Sequence, residues 1–153
     1  MPTIQEIIYN DMKEAFKSKK EPNLSTLRLL KSEIQYELTK SGAKELADPT
    51  MIQLLKKNLS QRKESSSEYR KAGRDDLATK EDQEASVIEL YLPQEVSIET
   101  IEAAIQEAIQ SLSAQGPSDT GKVMGKVMQN FKGQNIDGSK VSDAVKKALQ
   151  ALG

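Results

Sequence analysis

Seven times along this chain a residue suited to begin a helix is followed by apolar residues at steps of three and four, and most of these runs end at glycine or proline. That spacing gathers the apolar residues on one face of an α-helix, whereas a strand requires alternation, and no alternating run of useful length occurs. The expected fold is therefore all-α. Thr3 and Glu6 form a capping box ahead of Ile4, Ile7, Ile8, Met12, Ala15 and Phe16, and this first helix stops before Glu21-Pro22. Asn23 or Ser25 caps a second, with Leu27, Leu30, Ile34 and Leu38 on its apolar face and Gly42 at its end. Asp48-Pro49 reads as N-cap and first residue of a third, which buries Met51, Ile52, Leu55 and Leu59 and ends at Gly73. A fourth starts at Asp75 or Asp76, buries Leu77, Val87, Ile88 and Leu90, and runs to about Tyr91, with Pro93 as its stop.

Past Leu92 the composition shifts toward alanine and isoleucine. Residues 93–96 read as a linker between two lobes, 1–92 and 93–153. Ser97 caps a fifth helix stapled by Val96 and Ile101, whose buried face is Ile98, Ile101, Ile105, Ala108, Ile109 and Leu112 and whose end is Gly116-Pro117. The sixth opens at Ser118 or Asp119 and closes before Gly133. Asp137 caps the last, with Val141, Ala144, Val145, Ala148, Leu149 and Leu152 as one stripe and Ile136 stapled against Val141. The result is an N-terminal lobe of four helices and a C-terminal lobe of three.

Hydrophobic content of 37% and aromatic content of 4% suit narrow apolar seams between helices rather than one thick core. Histidine, cysteine and tryptophan are absent, which removes imidazole bases, thiolate nucleophiles, Cys/His metal sites and disulfides together. No catalytic residue, cofactor site or metal site is expected. Neither a membrane-length apolar run nor a targeting pattern is present, so the expected setting is the cytoplasm, with no membrane partner.

The sixth helix holds the most specific pattern. Residues 121–128 repeat GKVM with a period of four, which in a helix draws each residue type into its own stripe. Gly121 and Gly125 make a bare strip, Lys122 and Lys126 a cationic one, and Val123, Met124, Val127 and Met128 an apolar face continued by Phe131. Glycine inside a helix costs about 1 kcal/mol against alanine, less in the first turn, so the strip calls for a close approach of another backbone, from outside or from within the lobe. Residues 116–122 also match G-x-x-x-x-G-K. The next residue is Val123 where a nucleotide-binding loop needs Ser or Thr for magnesium, and a helical pattern rather than a strand comes before, so no nucleotide binding is expected.

Charge is sorted elsewhere too. Residues 56–74 carry seven basic side chains against Glu64 and Glu68, net +5, and residues 75–89 carry six acids against Lys80, net −5. An antiparallel hairpin that pairs the two stretches is one outcome; an RNA-facing basic stripe of Arg62, Lys63, Arg70, Lys71 and Arg74 is the other. From Gly116 onward six lysines face three aspartates, while 93–115 holds four glutamates and no base.

Residues 25–34 (STLRLLKSEI), 61–65 (QRKES), 69–77 (YRKAGRDDL), Tyr91-Leu92-Pro93, 121–133 and Asp137-Gly138, in that order over nearly the whole chain, resemble the YqeY family. The C-terminal lobe is also similar to the tail domain of GatB, the B subunit of the glutamyl- or aspartyl-tRNA amidotransferase, through Gly125, Val127, Met128, Lys132 and Gly133. Thr120 departs from the pattern, which has an apolar residue there, usually methionine. The resemblance implies a GatB-tail-like C-terminal lobe that helps hold tRNA. In the amidotransferase, phosphorylation and amidation occur in another domain of GatB, with ammonia from a separate subunit. Carbon–nitrogen ligase activity with glutamine as amido-N-donor would thus attach to this chain by similarity only, and no catalysis is expected of it alone. Two roles follow. One is a tRNA-binding accessory module using Lys122, Gly125, Lys126, Lys132 and Gly133, together with the five basic residues of 62–74. The other is a protein-binding adaptor that docks on an amidotransferase or aminoacyl-tRNA synthetase without touching RNA, which net charge −1 and few aromatics favour.

Overall fold

The computed structural model describes residues 1–153 and contains seven α-helices and no strand. The all-α class expected from periodicity is the one observed. The chain divides into two compact units, Met1–Leu92 and Pro93–Gly153, and each closes its own core.

In the first unit α1 (Ile4–Ser18) packs on α2 (Asn23–Ser41), and α3 (Asp48–Lys71) forms an antiparallel hairpin with α4 (Asp75–Glu89) against which α1 and α2 lie. Ile8, Leu27, Leu30, Ile34, Met51, Leu55 and Ile88 are its fully buried side chains. Burying each contributes about 1.5–3 kcal/mol, so these seven dominate the unit's cohesion. The start of α1 is fastened twice. Within the helix, Thr3 Oγ1 accepts from the Glu6 amide and Glu6 Oε2 accepts from the Thr3 amide, both at 3.2 Å. From outside, Asp48 Oδ1 accepts the Ile4 N–H at 2.9 Å, and Gln5 is buried because its Oε1 accepts the Leu46 N–H at 2.7 Å.

Asp48 is therefore not the cap of its own helix. It is the first residue of α3, Ala47 holds the N-cap position, and the carboxylate serves an orphan amide of α1 instead. Neither Asn23 nor Ser25 caps α2: the helix begins at Asn23 after a cis Glu21–Pro22 peptide, and Glu21 Oε2 accepts from the Ser25 amide at 3.2 Å. The apolar stripes are narrower than their periodicity. Ile7, Phe16 and Leu90 are 38%, 62% and 73% exposed, because each lies at a helix margin or end that no neighbouring helix covers. Leu38, Leu59 and Leu77 are half-buried.

The second unit packs α5 (Ile98–Leu112), α6 (Thr120–Asn130) and α7 (Gly138–Gln150) pairwise around Ile101, Ile105, Val123, Val127, Val141, Val145 and Leu149. Ser97 Oγ accepts from the Thr100 amide and Asp137 Oδ1 from the Ser139 amide, so both caps act within their own helices. Ile98, Leu112 and Leu152 are exposed at helix ends rather than buried. α5 ends at Leu112, before Gly116, with Ser113 in the left-handed conformation (φ 53) and the Ala114 amide closing on Ile109 O. Residues 93–96 are not a free linker. The Val96 amide donates to Asn135 O at 2.9 Å, Asn135 Nδ2 donates to Pro93 O at 2.9 Å, and Glu95 pairs with Lys140 at 3.0 Å, which straps the segment onto the second unit.

Asp48→Ala should lower the unfolding free energy by about 1–2 kcal/mol, the usual cost of a lost cap, and Asp48→Asn by less, since the amide oxygen still accepts from Ile4. Urea denaturation followed by circular dichroism measures both.

Candidate nucleic-acid interface

α6 converts the GKVM repeat into three faces. Val123 and Val127 are fully buried, Met124 and Met128 half-buried, and Phe131 in the turn that follows completes the packing against α5 and α7. Gly121 and Gly125 lie on the exposed side, and a Cβ built at either meets nothing within 4 Å. Tight packing inside the lobe is thus excluded as the reason for the glycines: no backbone of this chain approaches them. Lys122 and Lys132 are exposed, Lys126 is half-buried, and none of the three has a carboxylate partner. Partial cover of Lys126 is what a long aliphatic stem lying along a helix produces while its ammonium stays in water. Gly133, at φ 84, supplies the left-handed residue that ends the turn after α6.

The entry to α6 differs from expectation. A short 3-10 turn, Pro117–Asp119, leads in, and the Asp119 carboxylate accepts from the Gln115 amide at 2.9 Å instead of capping the helix. Thr120 Oγ1 donates to Pro117 O at 2.6 Å, so this half-buried threonine is held by its hydroxyl. The element before the G-x-x-x-x-G-K match is α5.

The basic residues of α3 have a different environment. Arg62 Nη1 bridges Glu81 at 3.2 Å and Glu84 at 3.1 Å, and Lys63 meets Glu89 at 3.7 Å. Arg70 pairs with Asp82 and donates to Ser66, whose hydroxyl donates to Asp82 Oδ1 at 2.6 Å. Lys71 meets Glu68 at 3.9 Å and Arg74 meets Asp76 at 3.1 Å. The hydrogen bond from Arg70, then that from Ser66, holds the Asp82 carboxyl below its ordinary value, and Arg74 does the same for Asp76. The charge sorting is thereby accounted for as a paired hairpin. The candidates fall into two classes: five on or just after α3 with carboxylates attached, and three lysines on and after α6 with none.

One cluster escaped the sequence reading. Lys13, Lys17, Arg28 and Lys31 ring a cleft between α1 and α2 whose floor includes Phe16, a residue that periodicity had assigned to the core. The available signal was a cation recurring every three or four residues beside the apolar stripe.

Residues 5–149 match the family model described as Yqey-like protein. The chain belongs to the YqeY family. Among its relatives, Altered inheritance of mitochondria protein 41, mitochondrial, of Pyrenophora tritici-repentis is 30% identical over 143 residues, covering 92% of this chain and 78% of that protein. An uncharacterized protein of Schizosaccharomyces pombe is 34% identical over 97 residues, 63% of this chain and 78% of its own length. The protein of Vanderwaltozyma polyspora that shares the first relative's name is 34% identical over 82 residues, 54% of this chain and 44% of its own. Two of the three relatives carry a mitochondrial label, so the cytoplasmic setting expected from composition is not established for this YqeY-family chain; no helix in it is long and apolar enough to cross a membrane.

Because Gly125 is exposed, helical and uncrowded, Gly125→Ala should stabilise the protein by about 1 kcal/mol, measured as a shift in the urea midpoint. A pH dependence follows from Asp82. Its carboxyl is depressed in the folded state, so its stabilisation is complete above the unfolded value of about 3.9 and is lost as pH falls through the folded value. Asp82→Asn should lose stability less steeply than the parent between roughly pH 4 and 2 in acid titrations followed by circular dichroism.

Proposed function

We propose that this YqeY-family protein is a tRNA-binding accessory module, with Lys122, Lys126 and Lys132 meeting backbone phosphates and the Gly121–Gly125 strip and Gly133 letting the nucleic acid come close to the helix backbone. The observation that carries this is the contrast in pairing: these three lysines have no carboxylate partner and flank an open glycine strip, whereas the basic residues of 62–74 are bonded to acids. Phosphate contacts release counterions and need unneutralised cations, which favours the C-terminal unit as the primary contact surface. Arg62, Lys63, Arg70, Lys71 and Arg74 take a secondary part, since Arg62, Arg70 and Arg74 must first leave an ion pair, and Lys63 and Lys71, in looser exposed contacts to Glu89 and Glu68, stand beside acids that offset their charge.

The similarity of Gly125, Val127, Met128, Lys132 and Gly133 to the GatB tail supports tRNA as the nucleic acid and assistance to tRNA amidation as the setting. Carbon–nitrogen ligase chemistry with glutamine as amido-N-donor then belongs to a partner amidotransferase, because this chain offers no histidine, cysteine or nucleotide loop with which to perform it. We place this work in the cytoplasm, as the composition leads one to expect; two relatives carry a mitochondrial label in their names. A second role is favoured by one specific observation: net charge −1 with 4% aromatic residues is unusual for an RNA binder, and suits an adaptor that docks on an amidotransferase or aminoacyl-tRNA synthetase.

Replacing Lys122, Lys126 and Lys132 together by glutamine should weaken tRNA binding and flatten the slope of log K against log salt by about two to three units, roughly 0.7–0.9 per lost contact. Gly125→Leu should also weaken binding while leaving the melting temperature no lower than the parent's. Unaltered affinity and salt slope in the triple variant would reject the RNA contact and favour the adaptor.

A further inference from the structure

The cleft between α1 and α2 has a volume of about 380 Å³ and a floor of Met12, Phe16 and Leu24. Its edges carry Lys13 and Lys17 from α1 and Arg28 and Lys31 from α2, and no acidic side chain lines it. Phe16 is 62% exposed, with half-buried Met12 and buried Leu24 beside it, so an aromatic ring stands open to solvent next to apolar side chains and within a ring of cations. We propose that this cleft is a docking groove for an acidic amphipathic helix of a protein partner, with apolar side chains on the floor and carboxylates meeting the cations on both edges.

The chemistry of the occupant follows from three features. Charge complementarity requires an anionic partner: Lys13, Arg28 and Lys31 have no carboxylate partner, and Lys17 has only the exposed contact to Glu14 at 3.6 Å, a pair readily exchanged in water. The spacing suits a helix. Lys13 and Lys17 stand four residues apart and Arg28 and Lys31 three, about 6 and 4.5 Å along their axes, the same interval at which acids recur on one edge of a partner helix. The floor suits side chains rather than bases. The Arg28 guanidinium lies 5.7 Å from the centre of the Phe16 ring, the one aromatic among the lining residues, and Met12 and Leu24 are aliphatic and adapt to another aliphatic or aromatic group, whereas successive bases call for several stacking rings. Lys31 is held by a similar contact, 5.8 Å from the Tyr9 ring, which orders the second edge. The groove lies wholly in the N-terminal unit and is independent of the lysines of α6.

The test titrates the full chain with a fluorescein-labelled stapled helix of about 16 residues, four turns, with leucines on one face and glutamates on its flanks. A peptide of the same composition with the leucines dispersed, a single-stranded uridine oligonucleotide and phosphatidylglycerol vesicles are titrated in parallel. The patterned peptide should bind and the dispersed one should bind at least about tenfold more weakly. Phe16→Ala, at an exposed position that leaves the fold intact by circular dichroism, should weaken the patterned peptide about tenfold and leave tRNA affinity unchanged. Lys13→Glu with Arg28→Glu should abolish binding, and a lysine-flanked version of the peptide should recover it. Equal binding of both peptides, or no saturation by about 1 mM, would overturn the proposal. So would a loss of oligonucleotide, tRNA or vesicle binding, or of self-association in sedimentation, on Phe16→Ala, since the occupant would then be a nucleic acid, a membrane or a second copy.

Discussion

Glu84 is only 6% exposed, and a carboxylate so far from water must be matched by a cation at close range. Arg62 supplies it, reaching Glu84 and Glu81 from the facing helix with its own side chain 22% exposed. Removing one partner of such a pair costs about 3–5 kcal/mol, because the other charge remains buried, so the contact fixes how α4 lies on α3. The pairs around it follow the antiparallel hairpin in outline. Arg62 and Lys63 meet Glu84 and Glu89 in the second half of α4, Arg70 meets Asp82 at its middle and Arg74 meets Asp76 at its start. A slip of one helical turn would break several of these contacts together. Tyr91 then anchors the end of α4 by donating to Asp11 of α1 at 2.8 Å, and burial with that hydrogen bond pushes its phenol well above the ordinary value.

What could be read from the sequence was local. Thr3, Ser97 and Asp137 cap helices whose amides lie two or three residues away, and both partners of each bond are visible in a short window. Asp48 shows the limit: it looks like an N-cap beside Pro49, yet its carboxylate binds the amide of Ile4, 44 residues earlier in the chain. No short-range rule distinguishes a residue that caps its own helix from one that caps another. The end of α5 was misread because Ser113 (φ 53) takes the left-handed conformation without glycine, and Lys19 (φ 55) does the same at the end of α1, where the stop before Glu21-Pro22 holds. Each costs roughly 1–2 kcal/mol, offset by the amides of Lys20 and Ala114 closing on Ala15 O and Ile109 O. Exposure of Ile7, Phe16 and Leu90 was equally out of reach, since periodicity gives the face of a helix but not how far along it a neighbour extends.

The candidate interface was legible in outline for the same reason. A period of four dictates the stripes of α6 whatever surrounds it, and Val123 and Val127 are buried on the face the repeat defines. What the repeat could not reveal was whether the glycines face the lobe or the solvent. The empty space beyond Gly121 and Gly125 decides that point, and leaves Gly125 as a mid-helix glycine whose penalty of about 1 kcal/mol no contact within the chain offsets. The stretch 56–74 had two readings because composition counts charges without their partners; distances of 3.1 to 3.9 Å to carboxylates supplied what composition lacked.

A net charge of −1 is a weak guide to where such a chain meets an anion. Screening confines the field of an exposed charge to about 10 Å at 0.1 M salt, so the quantity that matters is the local balance. In the hairpin, Arg62, Lys63, Arg70 and Arg74 each lie within ion-pair distance of an acid of the −5 stretch, which weakens the field of the +5 stretch beyond the surface. In the C-terminal unit, one glutamate of 93–115, Glu95, meets a lysine of the following segment, Lys140, while Lys122, Lys126 and Lys132 keep their charge. The α1–α2 cleft repeats the pattern, with four cations on its edges and no acid among its lining residues. Acid elsewhere in the chain lowers the total without neutralising either patch, so two cationic surfaces of different character persist on a protein that is acidic as a whole. One is backed by bare helix backbone and suits phosphate; the other is floored by Met12, Phe16 and Leu24 and suits carboxylates that arrive with apolar neighbours.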